Sequence, residues 1–288
     1  ANVAQVQFEP PLAGVQMQTS VPLGAGECGD YRAALKADFT TVDAIRFGGN
    51  YPASCGERVW PVAYADPKSY PARAVEGMWR EMGGKLGGVV REGRAPIVQG
   101  LALRPAFELG SPALPEVIRD INKYSNNVMA QQLFLTLSLQ TRVAAAPGAA
   151  TALVPATLAA SREVVQRWWR NTLGPDDVPL LDNGSGLSPV ERINAQGLAR
   201  LLQTAYASPV MPELMSSLPI TGVDGTLRRS RSKAQGSAHL KTGTLRDVVA
   251  VAGYVLASSG KRYALVMIIN HPSATAARPA IDALLDWA

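Results

Sequence analysis

Two short polar motifs in the chain contain residue types that can bind an anion and move a proton. Lys241, Thr242 and Gly243 come shortly before two apolar, β-prone runs. A lysine ammonium and a threonine hydroxyl at the entrance of a strand can bind a substrate carboxylate through charge and hydrogen bonding. Gly243 has no side chain, so a peptide backbone can approach the strand edge beside it.

The second motif is Ser125-Asn126-Asn127, which falls between two predicted helices. The Ser125 hydroxyl can pass a proton toward a leaving amine, and the Asn127 amide can bind a substrate backbone. Taken alone, the motif could equally be a turn, because serine and asparagine are common turn residues. Its occurrence together with the lysine motif favours a site, since S-x-N and K-T-G motifs belong to one known catalytic set.

Length and composition describe a globular chain. The 288 residues suggest about two domains. With 47% hydrophobic and 18% charged residues, the chain can bury a large core, which argues against intrinsic disorder. The longest apolar run, from Val248 to Ala257, is too short for a membrane-spanning helix, which needs about 20 residues.

The net charge of +5 is mildly basic. Four basic residues cluster between Arg228 and Lys233, which permits a nucleic-acid patch. An exposed, solvated turn is the favoured interpretation, because no aromatic residues interleave with the cluster. We therefore expect no nucleic-acid partner.

The two cysteines, Cys28 and Cys55, both lie among turn residues. This placement favours one disulfide and an oxidising compartment, with two free thiols as the alternative. The two histidines, His239 and His271, give no zinc-ligand spacing, so no metal is expected.

Hydrophobic periodicity divides the chain into differently built parts. Residues 1 to about 60 are predicted to be β-rich, including segments at 32–39 and 44–47. Helices are predicted in the middle, among them one that begins at a Ser188–Glu191 capping box. An Ala-rich connection is expected from Ala144 to Ala160. A C-terminal hairpin and a closing helix from Pro279 complete an α/β (α+β) prediction of a helical cluster plus an antiparallel sheet.

Together, these motifs resemble those of the class C low-molecular-mass penicillin-binding proteins, the D-alanyl-D-alanine carboxypeptidases/endopeptidases that trim peptidoglycan. The matching stretches run in family order from Tyr51 to Leu245, a combination more specific than any single motif. They are Tyr51–Gly56, Lys123–Ala130, Asp182–Ser188, Thr221–Leu227 and His239–Leu245. Asn126 departs from the family's more common S-D-N.

The resemblance implies a transpeptidase/β-lactamase-like domain over residues 61–288, incomplete at its N-terminal side. Residues 1–60 would be the end of a β-rich accessory domain inserted in it, containing the Cys28–Cys55 disulfide. Ser125, Asn127 and Lys241 would be catalytic, while Thr242, Gly243 and Thr244 would bind substrate. The backbone amide of Thr244 would form half of an oxyanion hole.

The family's S-x-x-K motif, which supplies the acylated serine, is expected upstream of residue 1. Two S-x-x-K strings do occur, at Ser230–Lys233 and Ser258–Lys261. We reject both, because the first lies in an Arg-rich turn and the second in the hairpin turn, whereas the nucleophile must begin a helix. The isolated chain is therefore expected to be inactive.

The function implied is a serine-type DD-peptidase of the periplasm, exported by a signal peptide that this chain does not contain. Its partners would be peptidoglycan stem peptides, β-lactam antibiotics and the N-terminal segment of the same enzyme, with no cofactor. A relative that binds peptidoglycan peptides without hydrolysis is the main alternative. A basic nucleic-acid-binding module built on Arg228–Lys233 is the other.

Overall fold

The structure, a computed structural model, describes residues 2–93, 97–98, 101–102, 107–143 and 155–287. Within it the chain forms two compact units, Ala1–Glu108 and Leu109–Ala288. The division falls later than the boundary near residue 60 that the sequence suggested. The assignment of the two parts to an accessory and a catalytic domain stays a prediction. Residues 144–154 of the Ala-rich connection expected between Ala144 and Ala160 lie outside the described residues.

Short strands dominate the N-terminal unit. The strands and helices of this unit are β1 (Val3–Gln5), β2 (Gln16–Met17), β3 (Ser20–Gly24), α1 (Tyr31–Leu35), β4 (Ala37–Asp38), β5 (Ala44–Phe47), β6 (Tyr51–Pro52), α2 (Tyr70–Glu81), β7 (Ile97–Val98) and β8 (Leu101–Ala102), with a 3₁₀ turn at Ala53–Cys55. β1 pairs antiparallel with β3, which lies parallel to β6, and β5 lies between β2 and β4.

The Cys28–Cys55 disulfide is confirmed, with the two Cα atoms 4.7 Å apart. It closes a 27-residue separation in a unit with few long elements. On the chain-entropy model such a closure stabilises the folded state by about 3–4 kcal/mol. Cys55 is almost fully buried, so the bond anchors the end of β6 to the loop before α1.

The C-terminal unit combines a helical cluster with an antiparallel sheet, as predicted. The elements of this unit are α3 (Leu114–Tyr124), α4 (Asn127–Val143), α5 (Leu158–Leu173), α6 (Ala195–Tyr206), α7 (Met211–Ser217), β9 (Ala238–Leu245), β10 (Val248–Leu256), β11 (Arg262–Asn270) and α8 (Arg278–Trp287), with 3₁₀ turns at Gly225–Leu227 and Ala274–Ala277. Among the described residues, the sheet has the order β11-β10-β9, and each neighbouring pair is antiparallel.

Helices cover both faces of this sheet, which explains why β10 is apolar on both faces. On one face, Leu240 and Val251 pack with Leu285 of α8. On the other face, Tyr254 packs with Leu202 of α6 and with Leu218. The Tyr254 hydroxyl satisfies its polar end by donating to the Leu202 carbonyl at 2.7 Å.

Two local predictions were wrong, and in both a cap decided the outcome. Residues 31–35 are helical, because Asp30 caps this turn by accepting from the Ala33 amide at 3.1 Å. The Ser188–Glu191 box starts no helix. α6 begins seven residues later, where Asn194 accepts from the Gly197 amide at 2.7 Å. Asparagine and serine are about equally good N-cap residues, but Glu191 Oε1 accepts from the Asp182 amide at 3.1 Å, so the Ser188–Glu191 box does not form.

Two glycines of the sheet differ in what a side chain would meet. At Gly253 of β10, φ is +155° and an added Cβ would lie 2.1 Å from the His239 carbonyl oxygen. We expect Gly253→Ala to lower the free energy of unfolding by about 3 kcal/mol or more, through backbone strain and displacement of β9. Urea unfolding would measure this loss.

Gly243→Ala is the matched control, because its Cβ would make only an ordinary contact, 3.9 Å from the Ala250 Cβ. Its free energy of unfolding should stay within about 1 kcal/mol of wild type. Equal losses in the two variants would contradict the close approach at Gly253.

Candidate active site

A tight junction between α3 and α4 presents the S-N-N motif. Ser125 ends α3 in the left-handed conformation, with φ 51° and ψ 49°. The amide of Asn126 then bonds the Ile121 carbonyl oxygen at 3.1 Å. A positive φ at a non-glycine residue is unusual, because this backbone conformation costs free energy. Residues in such strained conformations are often found at functional sites. The turn fixes the direction of the Ser125 side chain.

Asn126, the middle residue of the motif, caps α4. Its Oδ1 accepts a hydrogen bond from the Met129 amide at 3.0 Å. Asparagine and aspartate are about equally good in this position. The departure from S-D-N therefore keeps the same local structure.

Strand β9 brings the lysine motif to this junction. Lys241 Nζ donates to Ser125 Oγ and also to the Thr242 carbonyl oxygen, the latter at 2.9 Å. Residues 116 positions apart in sequence thereby meet at one point. Because the Ser125 hydroxyl accepts from Lys241, its own proton remains available for donation.

The environment of Lys241 disfavours its charge. Burial lowers the pKa of the Lys241 ammonium below its usual 10.5. Among the described residues, no carboxylate lies within ion-pair distance of its Nζ to offset this effect. A lysine with a lowered pKa can exchange a proton more readily near neutral pH.

The edge of β9 is covered in its first half and open in its second. The Leu240 amide bonds the Pro219 carbonyl oxygen at 2.9 Å, and the Thr221 amide bonds that of Ala238 at 3.0 Å. In an antiparallel ladder the outward-facing residues alternate, so Thr242 and Thr244 also direct their backbone groups away from β10. The Thr244 amide is thus placed on the open edge of the strand.

The side chains of these threonines have polar neighbours. Thr242 Oγ1 lies 3.3 Å from Thr226 Oγ1, and Arg278 Nη2 donates to Thr244 Oγ1 at 3.4 Å. Gly243 is exposed between them. This end of the strand therefore presents hydroxyls, cations and an open backbone, a combination suited to a peptide that ends in a carboxylate.

Asn127 is held by the loop at 182–188, one of the stretches that carry the family resemblance. Its Nδ2 donates to the Ser185 carbonyl oxygen at 2.6 Å. Asn183 Oδ1 holds this loop by accepting from both the amide and the hydroxyl of Ser185. Gly184 is required there, because a Cβ would lie 2.4 Å from the Phe134 ring.

The sequence analysis missed the ion pair between Lys123 and Asp224, whose Nζ and Oδ2 atoms are 2.7 Å apart. Lys123 is buried and also donates to the Leu218 carbonyl oxygen at 2.6 Å. Burial raises the pKa of Asp224, but the hydrogen bond and charge of Lys123, with the Ile220 amide, outweigh it and lower that pKa overall. One signal was available: each partner stands two residues before a polar residue of the site, Ser125 or Thr226.

The two S-x-x-K strings lie away from any helix start. Ser230 follows the 3₁₀ turn at Gly225–Leu227, and Ser258 opens the turn between β10 and β11. The described residues contain no group of three histidine, cysteine or acidic side chains that could hold a metal ion. Nor is any helix in the described ranges both long and apolar enough to cross a membrane.

The sequence model of the D-Ala-D-Ala carboxypeptidase 3 (S13) family matches residues 3–288. The chain belongs to this family. Membership of the S13 family confirms the low-molecular-mass penicillin-binding class that the motifs indicated.

Curated relatives match over part of their length. A D-alanyl-D-alanine carboxypeptidase of Actinomadura sp. (strain R39) is 31% identical over 159 residues, which is 52% of this chain and 27% of the relative. Carboxypeptidase DacB of Mycolicibacterium smegmatis is 32% identical over 188 residues, 62% of this chain and 38% of that protein. The S13 chain described here thus aligns with less than half of each of these relatives.

The fold is also shared with a solved structure. Penicillin-binding protein 4 (dacB) of Haemophilus influenzae, complexed with a β-lactam, matches with a TM-score of 0.63 at 21% identity. The match covers 99% of this chain and 66% of that one. At this identity the likeness establishes the transpeptidase-like fold.

The burial of Lys241 predicts a pH-dependent contribution to stability. Because its pKa is lower in the folded chain than the usual 10.5, the unfolded chain binds more protons between the two values. Stability therefore rises with pH in that window. We expect wild type to gain free energy of unfolding relative to Lys241→Met between pH 7 and pH 10, as measured by urea unfolding.

The exposed Lys261 provides the control for this measurement. Lys261→Met should keep a constant difference from wild type over the same pH range. A constant difference for Lys241→Met as well would show that burial does not perturb Lys241.

Proposed function

We propose that the complete protein is a serine-type DD-peptidase that acts on peptidoglycan stem peptides, as a D-Ala-D-Ala carboxypeptidase and cross-link endopeptidase. The observation that carries the proposal is the contact between Lys241 and Ser125, which joins two motifs that are distant in sequence. Membership of the S13 family supports the reaction class.

The reaction is an acyl transfer through a serine ester. A nucleophilic serine, expected upstream of residue 1, attacks the carbonyl carbon of the D-Ala–D-Ala or cross-link bond. The C–N bond breaks, and the leaving amine receives a proton passed on by Ser125. Water then attacks the ester, which releases the shortened peptide and restores the serine.

Strand β9 has the groups to orient this substrate. Lys241 and the Thr242 hydroxyl bind the carboxylate by charge and hydrogen bonding. The Thr244 amide contributes to the oxyanion hole, and Gly243 lets the peptide lie along the strand edge. Asn127 binds the substrate backbone from the α4 side.

The proposal includes covalent binding of penicillin, since a β-lactam carbonyl can acylate the same serine. The Haemophilus protein of similar fold was solved in complex with a β-lactam, which supports this extension. The test is incubation of the complete protein with a fluorescent penicillin, followed by mass spectrometry of the labelled peptide.

We expect one adduct, on a serine outside the 288 residues, and none on the isolated chain. An adduct on Ser125, Ser230 or Ser258 would overturn the assignment of the nucleophile. Reversible binding without any adduct would instead favour a non-hydrolytic peptidoglycan-binding protein.

Lys241→Ala in the complete protein should slow acylation by penicillin by about 100-fold or more, because both the carboxylate contact and the contact with Ser125 disappear. Lys241→Arg should restore only part of the rate, since a planar guanidinium differs in shape from a compact ammonium. The rate is measured from a time course of labelling by fluorescent penicillin, with samples quenched and read by gel fluorescence. The exposed Lys233 supplies the control: Lys233→Ala should react like wild type, and normal acylation of Lys241→Ala would exclude Lys241 from the site.

We also propose that the protein is exported to the periplasm. The Cys28–Cys55 disulfide supports this, because such bonds persist in oxidising compartments. Cell fractionation with thiol titration should recover the oxidised protein in the periplasmic fraction. Recovery in the cytoplasm with two free thiols would contradict the proposal.

A further inference from the structure

The ion pair between the buried Lys123 and the partly exposed Asp224 has no role in the reaction described above. We propose that this ion pair is a positioning device, which sets Ser125 of α3 and Lys241 of β9 at the separation that proton transfer requires. The inference rests on the proposed DD-peptidase function and adds two positioning residues to it.

On the helix side, Lys123 lies in the last turn of α3, two residues before Ser125. Its ammonium is bound by the Asp224 carboxylate and by the Leu218 carbonyl oxygen. The neighbouring Asn122 adds a bond from Nδ2 to Ser217 Oγ at 2.8 Å. The end of α3 is thereby attached to the segment from Ser217 to Asp224.

On the strand side, the same segment is attached to β9. Pro219 and Thr221 exchange backbone hydrogen bonds with Leu240 and Ala238, and Lys241 directly follows Leu240 in sequence. Asp224 also accepts a hydrogen bond from the Ile220 amide at 2.8 Å. Its carboxylate therefore binds both the Lys123 ammonium and the backbone of this segment. A continuous path of bonds thus runs from Ser125 through the ion pair to Lys241.

The same pair also bears on the second polar contact of the site. Thr226 stands two residues after Asp224, and its hydroxyl meets that of Thr242. Gly225, between them, packs so closely that a Cβ would lie 2.7 Å from the Lys123 carbonyl oxygen. The ion pair is therefore two residues in sequence from both the Lys241–Ser125 contact and the Thr242–Thr226 contact.

An ion pair is suited to positioning because its geometry is restrictive. Burying the Lys123 charge costs desolvation, so the pair adds little net stability compared with apolar packing. Removing one partner leaves the other charge, and here also a carbonyl group, without its bond. A displacement of about 1 Å at a catalytic group can cost about 100-fold in rate.

The experiment compares Lys123→Met, Asp224→Asn and the double variant in the complete protein. We expect each single variant to slow acylation by fluorescent penicillin about 100-fold. The double variant should be no more than about threefold slower than the slower single one, because the partners act as a unit. Asp224→Asn keeps a hydrogen-bonding side chain, so it serves should Lys123→Met fail to fold.

A second measurement does not depend on activity. The rate at which Lys241 reacts with acetic anhydride is followed against pH by peptide mass spectrometry. If the ion pair holds Lys241 in its partly buried position, the Lys123→Met substitution should expose the Lys241 ammonium to water. The pKa of Lys241 should then rise, and the midpoint of this profile should move to higher pH. A purely structural role of the ion pair elsewhere in the fold would leave the midpoint unchanged.

Asp177→Asn is the matched control, because Asp177 forms a comparable ion pair with Arg200 of α6, outside the candidate site. It should leave both the acylation rate and the Lys241 midpoint at wild-type values. Wild-type rates and midpoints in the Lys123 and Asp224 variants would overturn the inference. Failure of wild type itself to acylate would overturn the proposed function, and the Lys241 midpoints would still decide the role of the ion pair.

Discussion

The contact between Lys241 and Ser125 is the interaction on which the rest of the site depends. Its two residues belong to different kinds of element, a strand and a helix end, and 116 residues separate them. No local structure can bring them together, so the contact exists only if α3 and β9 are independently fixed. The left-handed turn at Ser125 fixes one side, and the covered first half of β9 fixes the other.

The edge of β9 combines a structural role with the substrate-binding role that we propose for it. Its first half forms backbone hydrogen bonds with the segment from Pro219 to Thr221. These bonds fix the register of the strand against its surroundings. Its second half has outward-facing backbone groups at Thr242 and Thr244 that remain open to a substrate strand. A fully covered edge could not bind a peptide, whereas a fully open one would invite aggregation. Dividing the edge between the two roles meets both requirements.

The sequence predicted the parts of this site that depend on local patterns. The continuous apolar runs indicated β10 and β11, and the motifs indicated Ser125, Asn127 and Lys241 as candidates. Competing caps misplaced the start of α6, because nothing local ranks Ser188 below Asn194. Lys123 and Asp224 were not paired, because 101 residues separate them and either could have been an ordinary surface charge.

The two lysines near Ser125 illustrate how environment separates roles that composition leaves equal. Lys123 and Lys241 are each close enough in sequence or space to be considered as proton acceptors for the serine. Lys123 donates to a carboxylate and a carbonyl, and these two contacts hold its ammonium in place. Lys241 contacts a hydroxyl and a carbonyl but no carboxylate within the described residues, and burial lowers its pKa. A lysine held between two fixed acceptors is suited to a positioning contact, whereas a buried lysine with a lowered pKa is suited to carrying a proton. This difference supports Lys241 as the lysine that works with Ser125, and Lys123 as the one that keeps it in place.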